Sequence, residues 1–353
     1  MKKIIKLIFL ILILFLFFSF CYICFVWYNQ INISNNDLQY TVSEEFIIKH
    51  KLMNNQQPTL FNVCISVYNL FYYIIVELVW NTIIKGLIYC LITDSGFDTN
   101  LILFHGHNIS SLPNDEWTKG VIILLHGLKS HPIGMFPLFK KLKKINALQN
   151  WTIIIPYIPY NGNNATDIVI STLLKQEEKI FKWIFERPYL PLGIVGSSNG
   201  GRLASYLGLQ FEKNRNMLHQ KVDSPILKRI SKQNIFVGSF GAPLLGTKGA
   251  NWLPSLSLFA FFHPSFFTVY KYKSTESIDL YFQMYNSSSS IYWTFIATPC
   301  DCFIYPFYSS IPELPIADYY ISKTSPHMGL VYYETENMLK SLYKWHKQLN
   351  IHK

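Results

Sequence analysis

The sequence predicts an α/β domain, a mostly parallel β-sheet flanked by helices, preceded by an apolar segment long enough to cross a membrane. Three observations carry this prediction. From about Phe97 onward, short apolar runs alternate with amphipathic helical stretches, the pattern of a parallel sheet covered on both faces. Half of the 353 residues are apolar and 16% aromatic, ample for a large core. The opening Leu7–Trp27 stretch carries no charge.

The N-terminus comes first. Lys2, Lys3 and Lys6 precede Leu7–Trp27, and Trp27 and Tyr28 close it. As a helix at ~1.5 Å per residue, this stretch measures roughly 31 Å, against a hydrocarbon core of about 30 Å. The aromatic pair suits an interfacial belt, and the lysines orient the N-terminus toward the cytoplasm and the rest outside. A cleaved signal peptide is the rival. Its apolar region is usually shorter and ends in a small-residue site, which Ser19-Phe20-Cys21 does not supply. Residues 1–28 are therefore expected to be an uncleaved, single-pass anchor, with the main domain on the non-cytoplasmic side.

Residues 29–96 are expected to form a membrane-proximal helical segment. Leu60–Ile92 is apolar but interrupted by Glu77, Asn81 and Lys85, and charges at a helix centre are expensive in lipid. The preferred expectation is helices packed on the main domain or lying in the interface; a second span stays open.

The main domain, 97–353, reads as follows. Strands are expected at Leu101–Phe104, Val121–Leu125, Trp151–Ile158, Leu192–Val195, Ile235–Phe240 and Ile291–Thr298. Val121–Leu125 is a continuous apolar run, the mark of a strand buried on both faces. Helices are expected at 134–148, with Lys140, Lys141, Lys143 and Lys144 on its wet side, and at 170–186, 199–210 and 338–349. The run Ser287–Ser290 reads as a loop. Trp252–Tyr285 is rich in aromatics. It reads equally as a lid, within 250–290, that lines an apolar pocket, or as core packing.

Charged residues make up only 15% of the chain, yet the net charge is +10. No nucleic-acid motif accompanies the basic balance, so no nucleic-acid partner is expected. Attraction to an anionic membrane surface and simple solubilisation remain the two readings. Six cysteines show no disulfide or zinc-ligand spacing, and neither a metal nor an organic cofactor is implied.

Chemistry concentrates in a few motifs. Gly196-Ser197-Ser198-Asn199-Gly200 fits G-x-S-x-G between a short apolar strand and a helix, the context this motif requires. Ser198 holds the central position, with Ser197 as its neighbouring rival. Small neighbours let the chains crowd around a strained turn, and the helix that follows aims its N–H groups at the site. His126-Gly127-Leu128 ends the Val121–Leu125 strand. An N–H just after His126-Gly127 can pair with that of Asn199 to form an oxyanion hole. His126 itself falls too early in the chain for a general base and reads as structural. Asp301, in Pro299-Cys300-Asp301-Cys302, and His327, in Ser325-Pro326-His327-Met328-Gly329, complete the order Ser…Asp…His. Asp279 and Asp318 are rivals for the acid.

These pieces together resemble the α/β-hydrolase superfamily, in particular its lipase and esterase branch, from about Phe97 to the C-terminus. The run Gly241-Ala242-Pro243-Leu244-Leu245-Gly246-Thr247 is similar to a Gly-x-Pro-x-x-Gly-[Ser/Thr] loop common after the nucleophile helix of bacterial lipases. The resemblance implies an α/β-hydrolase fold. It also implies hydrolysis of lipid or other hydrophobic carboxylic esters, with Ser198 as nucleophile, His327 as base, Asp301 as orienting acid, and Leu128 and Asn199 as oxyanion donors. Asn199 stands where lipases often carry His, Gln or Met. Two alternatives stay open: an acyltransferase using the same triad, and a catalytically silent scaffold.

Overall fold

A computed structural model describes Phe46, residues 101–105 and most of 118–351; the exceptions in that last range are 129, 131, 149, 222–232, 249, 251–267, 300, 302, 305–306, 323–324 and 326. The expected anchor and nearly all of the membrane-proximal segment lie outside the described residues. Among the described residues no helix is long and apolar enough to cross a membrane.

Seven described strands form one sheet: β1 (Leu101–His105), β2 (Gly120–Leu125), β3 (Trp151–Pro156), β4 (Leu192–Ser197), β5 (Ile235–Phe240), β6 (Ile291–Ala297) and β7 (Ala317–Ile321). Their spatial order is β1-β3-β2-β4-β5-β6-β7. Only β1 runs antiparallel, against β3; every other described pairing is parallel. This is the mostly parallel sheet flanked by helices that the sequence predicts.

Every residue of β2, β3, β5 and β6 is buried. The two-residue strand period then divides their side chains between two cores. Ile123, Leu125, Ile154, Ile194, Val237 and Phe295 lie in one core, with helices α2 (Thr166–Gln176), α3 (Glu178–Phe185), α4 (Asn199–Lys221) and α5 (Thr275–Asn286). Ile122, Leu124, Ile155, Val195, Phe236 and Ile296 lie in the other, with α1 (Phe136–Leu142), α6 (Leu330–Tyr333) and α7 (Thr335–Ile351). Trp345 of α7 centres the second core, edge-on to Trp151 at 5.8 Å and tilted against Phe236 at 5.5 Å. Its indole N–H donates to Gln233 O at 2.7 Å.

Helix α4 is pinned at both ends of the sheet by buried arginines. Arg215 donates to Asn234 Oδ1 at 2.6 Å and to Leu190 O at 2.7 Å. These acceptors precede β5 and β4, so the guanidinium ties the helix to two strand entrances. Burial pushes the Arg215 pKa down to about 9.

Several helices depart from their expected bounds. The helix expected at 134–148 ends at Leu142; single-turn 3-10 helices stand on either side, at Pro132–Met135 and Asn146–Leu148. Lys140, Lys143 and Lys144 are exposed, and Lys141 pairs with Glu336 of α7. The stretch expected as one helix over 170–186 is two, α2 and α3, broken at Glu177, and it begins at Thr166. Helix α4, expected to stop at Gln210, runs to Lys221. β3 stops at Pro156, two residues early, where Ile158 N turns away to a side chain. β7 was not expected: Ala317-Asp318-Tyr319-Tyr320-Ile321 is only half-buried along its whole length, as suits an edge strand lacking an apolar run. α5 falls inside the expected lid 250–290. Ser274 caps it by accepting from Ser277 N; Leu280 and Met284 enter the core, while the aromatics Phe282 and Tyr285 are exposed. The 251–267 part lies outside the described residues. Phe46, from the expected membrane-proximal segment, is buried against Tyr319, ring centroids 4.8 Å apart.

Candidate active site

Ser198 occupies the single residue between β4 and α4. Its φ is +53°, a left-handed conformation that costs a non-glycine residue roughly 1–3 kcal/mol and gathers at functional sites. The turn is sharp because its flanks are bare: a Cβ on Gly196 would overlap the Gly200 carbonyl, and one on Gly200 would overlap the carbonyls of Leu125 and His126. Two backbone bonds fix it, Ser198 N to Phe240 O at 2.7 Å and Gly201 N to Ser198 O at 2.9 Å.

The other two predicted residues meet it from distant parts of the chain. His327 Nε2 lies 2.9 Å from Ser198 Oγ, and His327 Nδ1 lies 2.5 Å from Asp301 Oδ2. Asp301 sits in the turn after β6, its N–H donating to Thr298 O at 3.2 Å. Its second oxygen, Oδ1, accepts from Phe303 N and Ile304 N, each at 2.8 Å. The carboxylate is thus held by its own loop and has one oxygen left for the imidazole. Asp301 and His327 are both buried. The partners assign Nδ1 as the protonated nitrogen and Nε2 as the one facing the serine.

The rivals lie elsewhere. Asp318 stands on β7, bonded to Tyr292 Oη, Ser341 Oγ and Lys344 Nζ. Asp279 is exposed on α5. Ser197 ends β4, and it is the Ser198 hydroxyl that reaches His327. His126 is fully buried. Its Nε2 accepts from Ile158 N at 3.0 Å and its Nδ1 lies 2.9 Å from Gly127 O, which leaves a neutral ring that holds the β2 and β3 exits together.

Gly127 sits directly beside Ser198: a Cβ there would lie 3.3 Å from Ser198 Cβ. The turn beyond it closes through Ser130 N to Gly127 O at 3.2 Å. Leu128, within that turn, packs against Ala250, Val269 and Tyr270. Asn199 opens α4, where its N–H is one of the helix's unsatisfied N-terminal donors.

Several contacts at the site are not marked in the sequence, including that of Gly241, there read only as part of a loop motif. Gly241, with φ +55°, follows β5 where a Cβ would lie 3.1 Å from His327 Nδ1 and 2.8 Å from Leu330 Cδ1; glycine is needed there for both conformation and space. Phe303, 44% exposed, lies against the His327 ring with centroids 5.4 Å apart. Arg202, one turn into α4, is fully buried and donates to Pro243 O, Leu244 O and Ser277 Oγ at 2.9–3.1 Å. Its charge faces Glu276 Oε1 at 3.6 Å and the Tyr270 ring at 4.9 Å. A lone arginine in the otherwise small and apolar stretch Gly200–Ala204 was the available signal for it. Among the described residues no group of His, Cys, Asp or Glu could hold a metal ion.

No family model matches the chain, and no curated protein matches it. Solved structures resemble it at low identity. A metagenome-derived lipolytic enzyme is 13% identical, with a TM-score of 0.45 over 71% of this chain and 98% of the other. Fluorophosphonate-binding serine hydrolase F of Staphylococcus aureus is 14% identical, TM-score 0.44, over 71% and 93%. The monoacylglycerol lipase of Paleococcus ferrophilus is 12% identical, TM-score 0.40, over 73% and 100%. At these values the likeness says nothing of substrate or chemistry, which must come from the site itself.

Proposed function

We propose that the chain is a serine hydrolase that cleaves carboxylic esters of lipids or other hydrophobic substrates, with Ser198 as nucleophile, His327 as base and Asp301 as orienting acid. One observation carries this reading: the unbroken relay from Ser198 Oγ through His327 to the buried Asp301, 2.9 and 2.5 Å long, with the serine on a strained turn at φ +53°.

The steps follow from the relay. Ser198 Oγ attacks the ester carbonyl while His327 Nε2 takes its proton. Asp301 Oδ2 accepts the Nδ1–H and stabilises the imidazolium without itself becoming protonated. The tetrahedral oxyanion is held by the N–H groups of Leu128 and Asn199; such donors contribute about 3–4 kcal/mol to the transition state. Collapse expels the alcohol, which takes the proton from His327 and leaves an acyl group on Ser198. Water then repeats the sequence, giving up its proton to His327, and releases the acid.

The anchor belongs to the same reading. Residues 1–28 hold the domain at a membrane on its non-cytoplasmic side, next to apolar substrates. Protease protection of the C-terminus in sealed vesicles tests the orientation; cleavage from the cytoplasmic side refutes it.

The chemistry is tested by a fluorophosphonate probe on the detergent-solubilised chain and on Ser198→Ala. Labelling of the first and not the second is expected. Absence of labelling in well-folded wild type would refute the hydrolase.

A further inference from the structure

The Asn199 side chain is buried, with only 2% of its surface exposed, and both ends of its amide are engaged. Nδ2 donates to Gly162 O at 2.9 Å. Oδ1 accepts from the Tyr270 hydroxyl. Gly162 ends the 3-10 turn after β3. Its φ is +71°, and a Cβ there would lie 2.5 Å from Asn199 Nδ2, so the turn is shaped to this amide. Tyr270 is in turn fixed from its other sides. The Arg202 guanidinium lies over its ring at 4.9 Å, and Ala250 and Val269 complete a small cluster with it. Leu128 packs against that cluster. One tyrosine therefore bonds one of the two expected oxyanion donors and belongs to the cluster against which the other packs.

We propose that the Asn199 side chain and Tyr270 form a positioning pair that sets the Asn199 backbone N–H at the reacting centre. The inference rests on the Ser198 reading given above. The amide is one residue from the nucleophile, so a tilt of it turns the same peptide that would hold the oxyanion. Loss of one tether displaces a donor by a fraction of an ångström, and misplacement of about 1 Å can cost about a hundredfold in rate. Burial pushes the Tyr270 pKa upward against the opposing effect of Arg202. The hydroxyl thus stays a donor through the neutral and mildly alkaline range.

The test is steady-state hydrolysis of a p-nitrophenyl ester by the full, detergent-solubilised chain, alongside thermal melts. Tyr270→Phe removes the hydroxyl alone. We expect kcat to fall about tenfold with KM changed less than about twofold, the signature of a contact used in the transition state. Asn199→Asp, nearly isosteric, loses the donor to Gly162 O and should fall similarly. The double variant should lose less than the product of the two single losses, because both act through the same side-chain amide. Wild-type kcat in Tyr270→Phe overturns the pairing, as does a loss that disappears once the folded fraction is normalised. Should Tyr270→Phe fail to fold, Asn199→Leu, which deletes both amide contacts without adding charge, decides by the same criterion. Ser198→Ala separates the two readings: activity surviving in that variant overturns the nucleophile assignment, whereas its silence beside an active Tyr270→Phe overturns the pairing only.

Discussion

His327 Nδ1 and Asp301 Oδ2 lie 2.5 Å apart, yet the residues are joined through nothing but the loops that follow β6 and β7. Asp301 is kept in place by two N–H groups of its own turn, so its geometry does not depend on the histidine. Asp301→Asn should therefore fold normally and present an amide in the same place. An amide N–H facing Nδ1 selects the wrong tautomer and removes the charge that stabilises the imidazolium. Turnover is expected to fall by about 10³–10⁴, as for other such triads, with an unchanged melting temperature. A fall of less than about tenfold would remove Asp301 from the relay.

Asp318, the rival acid nearest His327 in sequence, has a different duty. Burial raises its pKa, but hydrogen bonds from Lys344, Tyr292 and Ser341 outweigh it and hold the carboxyl below its ordinary 3.8. A carboxyl depressed in the folded state contributes stability that is present above the unfolded pKa and is lost as pH falls through the folded one. Asp318→Asn should keep full esterase activity and weaken the dependence of stability on pH below about 4. Because the Lys344 side chain is 60% exposed, the loss at neutral pH is expected to be at most about 1 kcal/mol. Chemical denaturation at pH 3 to 7 reads both effects; an inactive Asp318→Asn would reopen the choice of acid.

The strands that surround the nucleophile were legible because they are buried on both faces: an unbroken run such as Val121–Leu125 leaves no other economical reading, and Ile235–Phe240 was placed to the residue. Ser198, Asp301 and His327 were legible because G-x-S-x-G between strand and helix has few other uses, and because chain order ranks the remaining acids and histidines. What failed was local or tertiary. Asp318 interrupts the short β7, half-exposed at the sheet edge, so no unbroken apolar run marks it, and the break at Glu177 occurs without glycine or proline. The contacts of Asn199 with Gly162 and Tyr270 join residues 37 and 71 positions apart. Asn161-Gly162 signals a turn, but no periodicity tells which amide the turn will meet.

Gly241 makes a sharper point about the same site. Alanine there meets a left-handed backbone and lies 2.8 Å from Leu330 Cδ1 and 3.1 Å from His327 Nδ1. Gly241→Ala should cost about 1–3 kcal/mol of stability. It should also lower kcat by more than the lost folded fraction explains, since the histidine is what must give way. Equal losses in stability and activity would mean that Leu330 moves instead.

Arg202 carries the last prediction. It brings a full charge into the core, where one nitrogen, Nη1, faces Pro243 O, Leu244 O and Ser277 Oγ, Nη2 lies 3.6 Å from Glu276 Oε1, and the guanidinium face lies on Tyr270. Arg202→Met removes the charge, takes the donor from Leu244 O, leaves Pro243 O with Gly246 N and Ser277 Oγ with Ser274 Oγ, and unpairs Glu276. A loss of about 3–5 kcal/mol is expected, the scale of breaking a buried pair from one side. Lysine does not restore it in full, because a compact point charge gives up the flat packing on the Tyr270 ring and the simultaneous reach to Glu276. Arg202→Lys should therefore melt well below wild type, and not within a degree or two of it. The Glu276 side chain is 34% exposed, so water can partly replace it, and Glu276→Gln should lose less than either arginine variant. If Glu276→Gln is instead the most damaging of the three, the ion pair and not the carbonyl contacts holds the arginine, and the ordering argued from geometry is wrong.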